Sequence, residues 1–139
     1  MSAFGWAVIT AVVWGIVPLM EKAGLGAADP VAGVVVRSLG VVGGLVLFSV
    51  VKTPWDALRG LSGSSILLLV GGGLLASFIG QMAFYHALKA GALSQVTPVA
   101  GAYPLVAAIL GWWVLREPLT ASRVLGVVCV VVGVMLLRK

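Results

Sequence analysis

The sequence predicts an all-α integral membrane protein of five transmembrane helices, and three observations carry that expectation. Of its 139 residues 61% are hydrophobic and only 9% charged, with a mean hydropathy of +1.18. A soluble domain carries roughly 25% charged residues, so this chain lacks the polar surface needed to face water. Five apolar stretches approach the ~20 residues that cross a hydrocarbon core about 30 Å thick. Short connections between them hold most of the charge and the turn-forming residues.

The first span is expected over 4–20. Its surroundings, "MSAFGWAVITAVVWGIVPLMEKAG", have no positive n-region and no A-x-A-like cleavage site, so the stretch reads as a span rather than a signal peptide. The second, 31–51, opens on Asp29-Pro30, an N-cap followed by proline at the first helical position. "KTPWDALRGLSGSS" is the longest link and offers Trp55 to the membrane interface. The third span covers 65–88, with Gly91 placed to end it, and the fourth covers 95–115 with Ser94 as its cap. The fifth, 119–137, is opened by Pro118 and Thr120.

The net charge of +5 is scattered, without a basic block or interleaved aromatic residues, which argues against nucleic-acid binding. The single cysteine, Cys129, rules out an internal disulfide and any multi-cysteine metal site. No Ser/His/Asp, metal or phosphate-loop constellation suggests an enzyme, and no cofactor or metal is expected. His86, without a second histidine or a nearby carboxylate pair, reads as interfacial.

Orientation follows the lysines and arginines near span ends. Five spans put the termini on opposite sides. The N-terminal side then carries Lys52, Arg59, Arg116 and Arg123, and the other side Lys22, Lys89, Arg138 and Lys139. Arg37 can tip the balance by snorkelling, and the free α-amine can restore it. Two accounts remain open: weak bias in a singly oriented protein, or a chain that inserts both ways round.

"LSQVTPVAGAYPLVAAILGWWVLREPLTASRVLGVVCVVVGVMLL" resembles the C-terminal part of an EamA domain, the repeat unit of the drug/metabolite transporter superfamily. The shared features are a short Ser-containing turn, a proline-bearing fourth helix, a Gly-Glu-x-Leu-like loop, and "LG" with a glycine in the fifth helix. Arg116 stands where the family often has glycine. "WGIVPLMEKAGL" and "DPVAGVVVRSLG" resemble the family's first helix and arginine-bearing second, whereas 52–73 matches by hydropathy only. The resemblance implies one five-span EamA-type repeat over 1–139, where typical members have two repeats of inverted topology. A chain with one repeat needs a partner to rebuild ten spans around a midplane site. Together with the tied charge count, this leads to the expectation of a ten-helix antiparallel homodimer in the inner (plasma) membrane. It would move a small metabolite or drug-like solute by alternating access. An obligate heterodimer with an oppositely oriented paralogue, or a non-transporting membrane scaffold or assembly subunit, are the rival expectations.

Within that frame, Arg37, two turns into the second span, is either an anion-facing pathway residue or an arginine reaching the interface. Glu21, beside Lys22 and after Pro18, is the candidate coupling carboxylate or else a charge of an interfacial pair. The small multidrug resistance proteins, which the chain resembles in architecture, carry their carboxylate deep in the first helix, where this chain has Trp14 and Gly15. Ser77, Gln81 and Tyr85 fall at i, i+4, i+8 and share one face, lining a pocket or bonding neighbouring helices. In the fourth span Thr97, Gly101, Pro104 and Ala108 share a face beside Pro98, which suits a bent, gated helix or close packing. Tyr103 next to them is placed to stack on a substrate. Gly126 and Gly133, seven apart in the fifth span, are candidate dimer contacts. The expected substrate-binding set is therefore Trp14, Arg37, Gln81, Tyr85 and Tyr103.

Overall fold

The computed structural model describes residues 2–51, 55–118 and 120–136. Lys52, Arg138 and Lys139 of the charge count, and residues 119 and 137 at the expected ends of the fifth span, lie outside the described residues. So does the side chain of Trp55. Among the described residues all regular structure is helical, and the chain divides into two compact units, Met1–Ala90 and Gly91–Lys139.

The first unit begins with α1 (Ala3–Leu25), capped by Ser2, whose Oγ accepts from the Gly5 amide at 3.2 Å. The helix runs five residues past the expected end of the first span and so takes Glu21 and Lys22 inside it. It stops at Gly26, whose φ of 45° is a left-handed conformation that glycine adopts without a Cβ clash. As expected, α2 (Pro30–Val51) starts at Pro30, with Asp29 Oδ1 accepting from the Val31 amide at 2.7 Å. A short α3 (Trp55–Arg59) occupies the link. The third span is then a composite of α4 (Gly63–Leu74), a π-helical stretch over Leu75–Gly80 and α5 (Gln81–Ala90). The π stretch carries an extra residue in its hydrogen-bonded ring, so the α-helical spacing that joins Ser77 to Gln81 and Tyr85 does not pass through it unchanged.

In this unit α5 packs against both α1 and α2. Its buried residues are Pro18 and Leu25 of α1, Pro30 and Val34 of α2, and Tyr85 and Leu88 of α5. All gather at the end where the α1–α2 turn meets the close of α5. Gly33 makes the approach possible: a Cβ there would stand 2.7 Å from Leu25 Cδ1 and 2.9 Å from the Tyr85 ring. Two lysines fasten the same end. Lys22 Nζ donates to the Leu88 carbonyl, and Lys89 Nζ donates to the Ala28 carbonyl at 2.7 Å.

Away from that end large side chains are exposed, although α2 still packs against the π-helical stretch. On α1 the positions Trp14, Pro18, Glu21 and Leu25 share one face by their i, i+4, i+7, i+11 spacing, and Trp14 is 58% exposed although Leu25 is buried. Beyond Arg37 on α2, Val41 is 50% exposed, and before Gln81 in the third span Phe78 is 54% exposed. The unit is thus a bundle whose buried residues gather toward one end, with exposed side chains in the more open part beyond it.

The second unit departs from the expected single fourth helix. It has α6 (Leu93–Ala100) and α7 (Tyr103–Trp113), interrupted at Gly101-Ala102. Gly101 N still bonds Thr97 O at 2.7 Å, but Ala102 N turns to Val99 O at 3.2 Å, a tighter turn before α7 begins. Pro104, near the start of α7, has no amide to continue the ladder backwards. Nor is Ser94 the cap of α6: the N-cap is Ala92, and Ser94 lies inside the helix. The last helix, α8 (Ala121–Leu136), is preceded by Thr120, whose carbonyl accepts from Val124 N at 3.1 Å.

Among the described residues four helical runs are long and apolar enough to cross a membrane: Ala3–Leu25, Pro30–Val51, Gly63–Ala90 and Leu93–Trp113. The fifth, Ala121–Leu136, is apolar but has 16 described residues, about 24 Å of helix at 1.5 Å per residue. The α7–α8 turn contains Arg116 at φ 55°, a left-handed conformation costing roughly 1–2 kcal/mol for an L-residue with a Cβ.

Two substitutions test this packing in thermal unfolding of the detergent-solubilised protein. Gly33→Ala is expected to destabilise by about 1–3 kcal/mol through overpacking, whereas Gly24→Ala, at a site with no atom within 4 Å of an added Cβ, should not. At the strained turn, Arg116→Gly should match or raise the wild-type melting temperature, and Arg116→Val, a β-branched residue at positive φ, should lower it.

Candidate functional site

Where the packed end of the first unit gives way to the open part, four of the residues singled out above meet on one atom. Glu21 Oε1 accepts from Arg37 Nε at 3.1 Å, from Gln81 Nε2 at 2.9 Å and from Tyr85 OH at 3.1 Å. Local structure places each of them. Glu21 follows Pro18 by three residues and so lies one turn below it on the inner face of α1. Arg37 lies one turn beyond Gly33 on α2, at the level where the backbones are brought close. Gln81 and Tyr85 are one turn apart on α5, so both donate to the same carboxylate.

The electrostatics follow from the same contacts. Glu21 keeps only 10% of its side-chain surface exposed, whereas Arg37 keeps 32%. An ionised carboxylate withdrawn from water is costly unless it is paired and hydrogen-bonded, and here one cation and two neutral donors meet that demand. Among the described residues neither Glu21 Oε2 nor the terminal Nη1 and Nη2 of Arg37 has a hydrogen-bond partner. Unused acceptor and donor capacity therefore lies beside the open part of the unit. By helix rise, Glu21 sits about 6 Å from the end of α1, and Arg37 about 10 Å from the start of α2. That depth lies between the headgroup level and the middle of a ~30 Å core.

The remaining candidates lie elsewhere. Trp14 is two turns from Glu21 on the same face of α1, in the open part of the unit. Ser77 is exposed in the π-helical stretch and makes no bond to the cluster, and His86 is exposed on α5. Tyr103 opens α7 in the second unit and is 56% exposed. Gly126 and Gly133 lie on α8 with no atom within 4 Å of an added Cβ. Gly126 also borders a cavity of about 500 Å³ lined largely by apolar residues of α7 and α8, among them Leu105, Ala108, Trp112, Val124 and Val130. In its wall Arg123 Nη1 pairs with Glu117 Oε2 at 3.5 Å and donates to the Pro118 carbonyl at 3.1 Å. Thr97 Oγ1 is buried with no hydrogen-bond partner among the described residues.

Three features escaped the sequence reading. Gly33 sits four residues before Arg37, and that spacing hinted at a close approach on the arginine's own face. The bonds from Lys22 and Lys89 to backbone carbonyls had no signal, because a lysine at a span end reads first as a snorkelling charge. The π stretch had a faint one, in the glycine run at 71–73 and in Gly80.

Four apolar helical runs long enough to cross a membrane, three of them meeting at an enclosed polar cluster, describe a multi-pass helical membrane protein among the described residues. Residues 1–139 match the model of the EamA-like transporter family, and the chain belongs to that family. No curated protein and no solved structure matches it.

The energetic link across the cluster can be measured with a double-mutant cycle on thermal stability. Glu21→Ala leaves Arg37 without its counter-charge, and Arg37→Ala does the converse. The double variant is expected to be more stable than the sum of the single losses implies, by a coupling energy in the range of about 0.5–3 kcal/mol typical of contacting residues. Strict additivity would show that the pair does not interact in the folded protein.

Proposed function

We propose that the chain is a small secondary transporter of the inner membrane. In this reading two copies inserted in opposite orientations form the working unit, and a small metabolite or drug-like solute binds at Arg37, Gln81 and Tyr85. The observation that carries the proposal is the Glu21-centred cluster at the inner limit of an open bundle, in a chain of a transporter family. Trp14, two turns along the same face of α1, lies on the entry path. The packed end, fastened by Lys22 and Lys89, is the side shut in this conformation. Glu21 is the coupling group because it is the enclosed carboxylate of the cluster.

The pairing of opposed copies is supported by the even split of lysines and arginines between the two sides. Gly126 and Gly133 on α8 offer a face that another helix can approach closely. Tyr103, in the second unit, is the further aromatic candidate for solute contact.

Reporter domains fused to the C-terminus should register on both sides of the membrane in one cell population; one clean orientation would sink the opposed homodimer. Two lysines added to one side should impose a single orientation and abolish transport, and co-expression with the complementary variant should restore it. For the site, Gln81→Ala and Tyr85→Phe each remove a hydrogen bond to a charged group, worth about 1.5–3 kcal/mol. Each is therefore expected to lower transport about tenfold or more in proteoliposomes, and unchanged transport in both would remove α5 from the solute path.

A further inference from the structure

We infer that the solute held by the Glu21–Arg37 cluster is a small organic anion, of the carboxylate type, and that it binds together with one proton taken up by Glu21. This rests on the reading of the cluster as the solute site. The first step is which charge a solute can reach. The negative group is nine-tenths enclosed, and its Oε1 already accepts three bonds, whereas the positive group is one-third exposed and uses one of its five N–H donors. The accessible charge at the edge of the open part is therefore the guanidinium end of Arg37. Its two terminal nitrogens form a planar fork that matches a carboxylate with two parallel hydrogen bonds.

The second step is charge balance. With Arg37 and Glu21 both ionised the cluster is neutral. A carboxylate arriving on the Arg37 fork places a second anion on one cation inside a low-dielectric surround, where like charges are expensive. Among the described residues no other cation bonds to the cluster to offset it. From α2 only Arg37 faces Glu21, from α5 only Tyr85 and the Gln81 amide do, and on α1 the neighbouring Lys22 points its ammonium at the Leu88 carbonyl. The neutral arrangement is restored when Glu21 takes a proton from the aqueous phase through which the solute enters. The site then holds one carboxylate, one guanidinium and one carboxylic acid. No bond is made or broken other than that O–H, and the complex gains no net charge on loading. Anion and proton thus favour each other's binding, and by linkage the dependence is reciprocal. The anion binds more tightly as pH falls, by about tenfold per pH unit where one proton accompanies each anion.

The experiment uses the full-length protein in detergent with lactate and benzoate, their methyl esters, and small amines and amino acids as probes. Calorimetry in two buffers of different ionisation enthalpy counts the protons taken up per ligand. Lactate or benzoate is expected to bind with about one proton, and with about tenfold tighter affinity per unit fall in pH. The esters and amines should not bind. Glu21→Gln, which keeps the oxygen that accepts from Arg37, should still bind carboxylate, but with no proton uptake and a flat pH profile. Arg37→Gln should lose carboxylate binding while retaining a cooperative melt. Carboxylate binding without proton uptake in the wild type, or an amino acid binding by its ammonium with none, would overturn the inference. If a neutral or cationic solute is transported and its transport depends on Gln81 and Tyr85, the proposed site stands and this inference falls. If transport is indifferent to Gln81, Tyr85 and Arg37 alike, both fall.

Discussion

A carboxylate inside an apolar bundle is the constraint on which the first unit depends. In water Glu21 would need nothing from its neighbours; inside a bilayer a carboxylate withdrawn from solvent must find partners within the protein. The match comes from two other helices, α2 through Arg37 and α5 through Gln81 and Tyr85. The requirement of one side chain therefore fixes the relative height and rotation of three helices. Lipid supplies no hydrophobic force that would bring those helices together, so such bonds and close packing carry the specificity. Gly33 is the packing half of the same device. By letting the Tyr85 ring lie against the α2 backbone it brings the phenol within reach of α1.

The burial pattern looks poor by the standard of a soluble domain, since most large apolar side chains are exposed. In a membrane protein that surface meets acyl chains, and the informative residues are the few that are buried. All six in the first unit lie at one end. The two lysines at that end donate to backbone carbonyls near helix termini, where unpaired C=O groups and the negative end of the helix dipole attract a cation. Apolar packing and these two bonds act at the same level of the bundle, so opening that end requires giving up both together. The polar cluster sits at the inner part of this packed region, with Pro18 of α1 one turn further in than Glu21.

How much of this was legible in the sequence divides along physical lines. Hydropathy found the four runs long and apolar enough to span, because length and apolarity are local properties. The Asp29-Pro30 start of α2 and the role of Thr120 were readable because capping is decided within a few residues. The members of the cluster were readable as chemistry, since a charge or an amide in a span is conspicuous. Their meeting was not, because 16 residues separate Arg37 from Glu21, and Gln81 and Tyr85 lie 60 and 64 away; a sequence does not print rotation about helix axes. The same gap explains Ser77: α-helical spacing put it on the face of Gln81, and the π stretch between them breaks the rule that spacing relies on. The split between α6 and α7 was foreshadowed by Pro98 and Pro104, but the Gly101-Ala102 turn depends on the balance of two carbonyl acceptors two residues apart. Arg116 was conspicuous by resemblance, standing where glycine is common, and its positive φ gives the physical reason glycine suits the position.

In the proposed pair of opposed copies, the depth of the cluster has a consequence for mechanism. Each cluster lies about 6–10 Å inside its own α1–α2 end, and inversion places the two copies' clusters on opposite sides of the midplane of a ~30 Å core. The seals are inverted with them, so one copy is shut toward one face of the membrane and its partner toward the other. Two copies in the same conformation would then close both faces, and a passage would open only when one seal loosens while its twin holds. Alternation in such a pair is an exchange of roles between identical chains, and the two facing states have equal intrinsic energy by symmetry. Neither side is favoured by the protein itself. Net direction is then set by the gradients of the solute and of any ion bound with it, and in the proposed scheme Glu21 is where such an ion would act.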